Sequence, residues 1–172
     1  MRTIKFRAWQ KYHEKMLEVT GITLDDNGKL ESVYTLHPYQ APKRVVYSKW
    51  RDDFWLYDKE GESSLELMQY TGLNDKNGRE IYEGDILLLH QFLFDGHEFE
   101  NELIGEVIYD QETCSFALRN IRNADVKKYM GYREHEDCGN IPIFNFYGLH
   151  EESFEKLGNI YENLELLEEG DE

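Results

Sequence analysis

Two Asn-Gly pairs, Asn27-Gly28 and Asn77-Gly78, stand between runs of apolar and β-branched residues, and they constrain the fold more than any other feature. Asn-Gly is the strongest short hairpin signal, because both central residues of a type I′ turn need positive φ. Each pair therefore predicts two antiparallel strands. The first joins Gly21-Ile22-Thr23-Leu24 to Leu30–Leu36; the second, in Asp75-Lys76-Asn77-Gly78, follows Leu65–Thr71 and precedes Ile81-Tyr82.

A period of two recurs around these turns. In Thr3–Trp9, Ile4, Phe6 and Ala8 alternate with Lys5 and Arg7, the pattern of a half-buried strand. Tyr12-His13-Glu14-Lys15 reads as a polar turn and Met16–Thr20 as a second strand. Gly105–Asp110 and Cys114–Leu118 alternate on either side of Gln111-Glu112-Thr113, a further hairpin. Glu83-Gly84-Asp85 leads into the apolar run Ile86–Leu89, and Phe144–Tyr147 and Phe154–Ile160 read as later strands. Short helices are expected only at Ala124–Gly131 and Asn163–Glu169. An aromatic share of 14% suits pleated, half-buried surfaces. The expected fold is mainly β, a small barrel or sandwich. The polar stretch Asp58–Glu62 divides it into an N-terminal hairpin region, 1–60, and a barrel domain with an acidic C-terminal helix or tail, 61–172.

The net charge of −16 is unevenly placed. Residues 1–60 carry 11 basic and 9 acidic side chains, whereas residues 61–172 carry 8 and 26, a balance of −18. Such a field repels phosphate backbones and disfavours generic nucleic-acid binding. The plain reading of the acidic end is a solvated surface. Cys114 and Cys138 are too few for a disulfide framework, so a reducing cytoplasm is expected. Met1–Trp9 has no apolar segment of a signal peptide, and no run approaches the ~18 apolar residues of a membrane helix.

The stretch from Tyr70 to Ile86, Tyr-Thr-Gly-Leu-Asn-Asp-Lys-Asn-Gly-Arg-Glu-Ile-Tyr-Glu-Gly-Asp-Ile, closely resembles the central motif of the YopX family of phage and prophage proteins. Lys5-Phe6-Arg7-Ala8-Trp9 resembles that family's N-terminal block, and Leu157-Gly158-Asn159-Ile160-Tyr161-Glu162-Asn163 its C-terminal block. Gln10 stands where the family usually has Asp, and Leu164 where it usually has Pro. The resemblance implies an SH3-like barrel carried by the central and C-terminal blocks, with a few additional β-hairpins. It implies no activity. On the residues alone, Gly84 is expected to take positive φ and Asp85 to bond backbone amides of its own turn, which assigns the central motif to folding first.

No catalytic, cofactor or metal site emerges. His135-Glu136-Asp137-Cys138 is a fragment of a zinc site that Cys114 might complete only through the fold, and no Cys-x-x-Cys supports it. Cys138 with His135 as nucleophile and base is outweighed by chance proximity. Calcium-loop register and phosphate-binding glycine patterns are absent. The one cluster that suggests an interaction surface is Trp50, Trp55 and Tyr57, with Lys43, Arg44, Lys49 and Arg51 nearby. Core packing explains it as well as a protein-binding face does. The expected function is a non-enzymatic binding or accessory module with a protein partner, no membrane and no cofactor. An acidic mimic of DNA that blocks a host nucleic-acid-binding enzyme is the alternative. Homo-oligomers are open to a small barrel through its edge strands.

Overall fold

The computed structural model describes residues 3–36, 44–48, 54–55, 64–94, 98–122, 141–142 and 154–167. The chain divides into two compact units, Met1–Tyr70 and Thr71–Glu172. The described residues are mainly β, in two sheets that are antiparallel except for one short pair.

In the first unit the strand order is β5-β4-β3-β2-β1-β6, with β1 Phe6–Gln10, β2 Lys15–Leu24, β3 Leu30–Leu36, β4 Arg44–Ser48, β5 Phe54–Trp55 and β6 Leu65–Asn74. β2 replaces two strands expected from the sequence. Its register against β3 slips between Val19↔Thr35 and Gly21↔Tyr34, leaving Thr20 as an extra residue. This bulge reverses the facing of side chains, so that Leu17 and Val19 before it and Ile22 after it pack on one core with Ala8, Val33, Tyr47 and Leu65. The alternation expected of the first strand is also altered. β1 pairs with β2 on one side and β6 on the other, and Arg7, Ala8, Trp9 and Gln10 are all buried while Ile4 is exposed. β1 is thus a central strand whose side chains are buried on both faces from Arg7 to Gln10.

The second unit takes in the end of β6 from Thr71 onward, with β7 Glu80–Tyr82 paired to it, and a five-stranded sheet in the order β11-β10-β9-β8-β12. Those strands are β8 Asp85–Phe94, β9 Glu98–Asp110, β10 Ser115–Arg122, β11 Ile141–Pro142 and β12 Phe154–Asn159. The expected SH3-like barrel is not found: among the described residues the sheet is open, with β11 and β12 as its edges. Its core joins Ile81, Leu87, Leu89, Leu103, Val107, Leu118 and Phe154. Where β9 meets β10, Arg119 grips the buried carboxylate of Glu106 with bonds of 3.0 and 3.1 Å. The expected terminal helix shrinks to one 3₁₀ turn, Leu164–Leu166, without a side-chain cap from Asn163. Ala124–Gly131 and Phe144–Tyr147 lie outside the described residues.

The hairpin turns are of two kinds. Lys11–Glu14 and Gln111–Cys114 are four-residue loops that end in a left-handed residue, Glu14 at φ 50° and Cys114 at φ 51°. Cys114 is thus an exposed turn residue rather than the start of a strand. Gln10 accepts the His13 amide through Oε1, the capping role that Asp110 plays by accepting the Glu112 amide at 3.3 Å. The Asn-Gly turns differ from the expected type I′. Only Gly28 (φ 76°) and Gly78 (φ 78°) are left-handed, and each glycine amide donates to the carbonyl of the Asp three residues before it. Each is a type I turn closed by a glycine bulge. The aspartate selects this form: Asp25 Oδ1 accepts the amides of Asn27 and Lys29, and Asp75 Oδ1 those of Asn77 and Arg79.

Candidate functional site

The turn at Asp75 has a second role beyond the turn-closing one it shares with Asp25. Asp75 is 2% exposed, and its other oxygen, Oδ2, accepts Nε of Arg79 at 2.7 Å and the backbone amide of Lys156 at 3.2 Å. Arg79 Nη2 donates to the Lys156 carbonyl at 2.6 Å, and the Lys76 amide donates to the Phe154 carbonyl at 2.8 Å. Lys76 and Glu155 form an ion pair beside them. Phe154 and Lys156 lie on β12, whose other edge is paired with β8. The central turn therefore latches onto the outer edge of the last strand and occupies main-chain groups that an edge strand otherwise leaves open to pairing.

Electrostatics follow the geometry. Burial alone would raise the Asp75 pKa, but the Arg79 guanidinium and the amides of Arg79, Lys156 and Asn77 outweigh it and hold the carboxyl well below the usual carboxylate range. Lys156 links this turn to the next. Its Nζ lies 2.9 Å from Oδ2 of the fully buried Asp85 and donates to the Glu80 carbonyl at 3.4 Å. Asp85 Oδ2 also accepts the Tyr82 amide at 2.8 Å, and Gly84 takes φ 74° as expected. The Gly84 amide bonds the Val107 carbonyl, and its own carbonyl accepts the Ile160 amide. At the start of the motif, Thr71 Oγ1 donates to the Ile81 carbonyl across β6 and β7 at 2.9 Å.

The C-terminal block completes the arrangement. Asn159 Oδ1 accepts the amides of Tyr161 and Glu162, and its Nδ2 donates to Glu162 Oε2 at 2.6 Å. Asn163 folds back over Gly158 so closely that a Cβ there would lie 2.3 Å from Asn163 Oδ1. Glycine at 158 is required by this approach.

Of the interaction cluster expected from sequence, Trp50 and Tyr57 lie outside the described residues. Trp55 is placed by its backbone in β5, beside Ser48 in a short parallel pairing. His135 and Cys138 also lie outside the described residues, and the Cys114 thiol donates to the Gln111 carbonyl at 3.5 Å. Among the described residues no group of three or more His, Cys, Asp or Glu side chains is placed to hold a metal ion, and no helix is long and apolar enough to cross a membrane. The latch itself was hidden in sequence, since Asp75 and Lys156 are 81 positions apart. The signal that might have revealed it is the contrast between two like turns, one followed by Lys29 and one by Arg79, whose fork can reach a carboxylate and a carbonyl together.

The sequence profile of the YopX protein family matches residues 5–168. The chain belongs to the YopX family. Among solved structures, the chain is similar to the crystal structure of protein EF1440 from Enterococcus faecalis, at 27% sequence identity and a TM-score of 0.53. That likeness covers 98% of this chain and 100% of EF1440. No curated protein matches. Within the matched region, the central block supplies the turn and the Gly-Asp corner, and the strand edge they hold, Phe154–Lys156, leads directly into the C-terminal block.

Proposed function

We propose that this YopX-family chain is a non-enzymatic binding or accessory module of a phage or prophage, acting on a protein partner in the cytoplasm of the host cell. One observation carries the reading: Thr71, Asp75, Arg79, Asp85, Lys156 and Asn159 are bonded to one another or to the main chain of their own unit. Polar side chains spent in this way build a frame, and recognition falls to what the frame displays. The aromatic segment with Trp50, Trp55 and Tyr57 is the surface we assign to the partner, because tryptophan and tyrosine dominate binding hot spots. Full-length protein and a W50A/W55A double variant, each immobilised in host lysate, test this. A specific partner retained by the first and lost by the second, with circular dichroism unchanged, supports the reading. Identical partner profiles would remove the aromatic segment from it, and no partner above the background of a bare matrix would remove the module itself.

The balance of −18 over residues 61–172 favours a second reading, an acidic surface that occupies a nucleic-acid-binding enzyme. It requires carboxylates spread over the folded surface. Removal of residues 168–172 should then leave competition with DNA for that enzyme intact, and loss of competition would refute it.

A further inference from the structure

The twin turns expose Asn27 and Asn77 to one and the same chemistry under different restraint. An Asn followed by Gly is prone to attack by the glycine's backbone nitrogen on the Asn side-chain carbon, because glycine has no Cβ to obstruct the approach. The Gly amide gives its proton to water or hydroxide, its nitrogen bonds to Cγ, and the Cγ–Nδ2 bond breaks. Nδ2 takes a proton from water and leaves as ammonia. Water then opens the cyclic imide at either carbonyl, giving aspartate or isoaspartate and one further negative charge. Isoaspartate also lengthens the main chain by one carbon.

In both turns the attacking nitrogen is engaged, Gly28 N with the Asp25 carbonyl at 2.9 Å and Gly78 N with the Asp75 carbonyl at 2.8 Å. Reaction therefore requires the turn to open. At the first turn Asp25 is half-buried, and Asp26, Asn27, Gly28 and Lys29 are exposed. At the second, Lys76, Asn77, Gly78 and Arg79 are exposed as well, so exposure does not separate the sites; but Asp75 is buried, and opening must also part Asp75 and Arg79 from Lys156 and Lys76 from Phe154. We propose that Asn27 is a site of spontaneous covalent modification, deamidation through a cyclic imide, and that the latch withholds Asn77 from the same reaction. The family's central turn is thereby protected from a change that would insert an extra backbone atom where the edge strand is held.

The test is incubation of the full-length protein at mildly alkaline pH, with peptide mapping of the amide-to-acid mass change and of isoaspartate at each site. A parallel sample in concentrated urea gives the unrestrained rates. In urea the two sites should react alike. In the native protein Asn27 should react at least roughly tenfold faster than Asn77, the effect of several further hydrogen bonds that must break before reaction. Equal native rates, a faster Asn77, or an inert Asn27 over a time in which the urea sample reacts would each overturn the proposal. Arg79→Ala should bring Asn77 toward the rate of Asn27 while leaving Asn27 unchanged. Should R79A unfold, Lys76→Pro serves instead: proline suits the second position of a type I turn and removes the amide that binds Phe154 together with the ammonium that pairs with Glu155, both contacts of the latch. An Asn77 rate unmoved by the folded variant would contradict protection by the latch.

Discussion

Asp75→Asn and Asp25→Asn are the same substitution in two turns of one backbone form, and they should differ sharply in cost. Asparagine keeps an Oδ1 acceptor, so in both turns the two amides held by Oδ1 retain their partner. At position 75 the second oxygen becomes an NH₂ group facing two other donors, Arg79 Nε and the Lys156 amide. Two charge-assisted bonds to the carboxylate are lost, each at the lower end of ~1.5–3 kcal/mol because Arg79 is half exposed and the amide donor is neutral, and the donors are left facing a donor. The expected loss for D75N is about 3–4 kcal/mol, larger than that for D25N, where the carboxylate is only half-buried. Urea titration followed through amide resonances of β8 and β12 reads the second unit by itself, which avoids assuming that both units unfold together. Equal losses for the two variants, or a D75N loss below about 1 kcal/mol, would refute the claim that Asp75 binds the strand edge as well as its own turn.

Acid should weaken the same contact. The folded-state pKa of Asp75 is depressed, so its contribution is fully present above the unfolded-state value of about 4 and is lost as pH falls from there through the folded value. Acid unfolding of the second unit should accordingly be less steep in D75N than in the unaltered protein. Lys156→Met leaves the fully buried Asp85 carboxylate without its ammonium and should cost about 3 kcal/mol in denaturant titration, the low end for a buried pair because Lys156 keeps 20% of its side chain exposed. Adding D85N should restore part of that loss, and strict additivity would count against the pair. Gly158→Ala drives a Cβ into Asn163 and should cost about 1–3 kcal/mol. N163G should relieve the clash, so a double variant no more stable than G158A would contradict the close approach.

Local chemistry made much of this fold readable in advance. Alternation and turn residues placed most of the strands in the described residues, and Gly84-Asp85 behaves as its residue types dictate. Failures came where a partner distant in sequence decides the outcome. β2 looked like two strands because the bulge at Thr20 breaks its alternation, and only pairing with β3 shows that the strand continues. Arg7 looked solvent-facing because its alternation is that of a half-buried strand, whereas β1 is buried on both faces. The Asn-Gly turns were assigned the right place and the wrong form, since an Asp two residues before each Asn recruits amides that a type I′ turn does not offer. Resemblance to the family marked Asp75 and Arg79 but stopped short of Phe154 and Lys156, because a motif records residue types and order and the meeting of Asp75 with Lys156 is a matter of topology.

Amide hydrogen exchange at Lys76 and Lys156 in the intact protein is the most direct measurement of the latch. One amide lies in a surface turn and the other on the outer edge of a sheet, positions that exchange rapidly when nothing covers them. Both donate to groups of the opposing element, Lys76 to Phe154 and Lys156 to Asp75. Protection of both, comparable to each other and lost together in D75N, is the predicted result. Exchange of both at the rate of the exposed Asp26 amide would contradict the account that the central motif and the C-terminal block of this YopX-family chain form one frame.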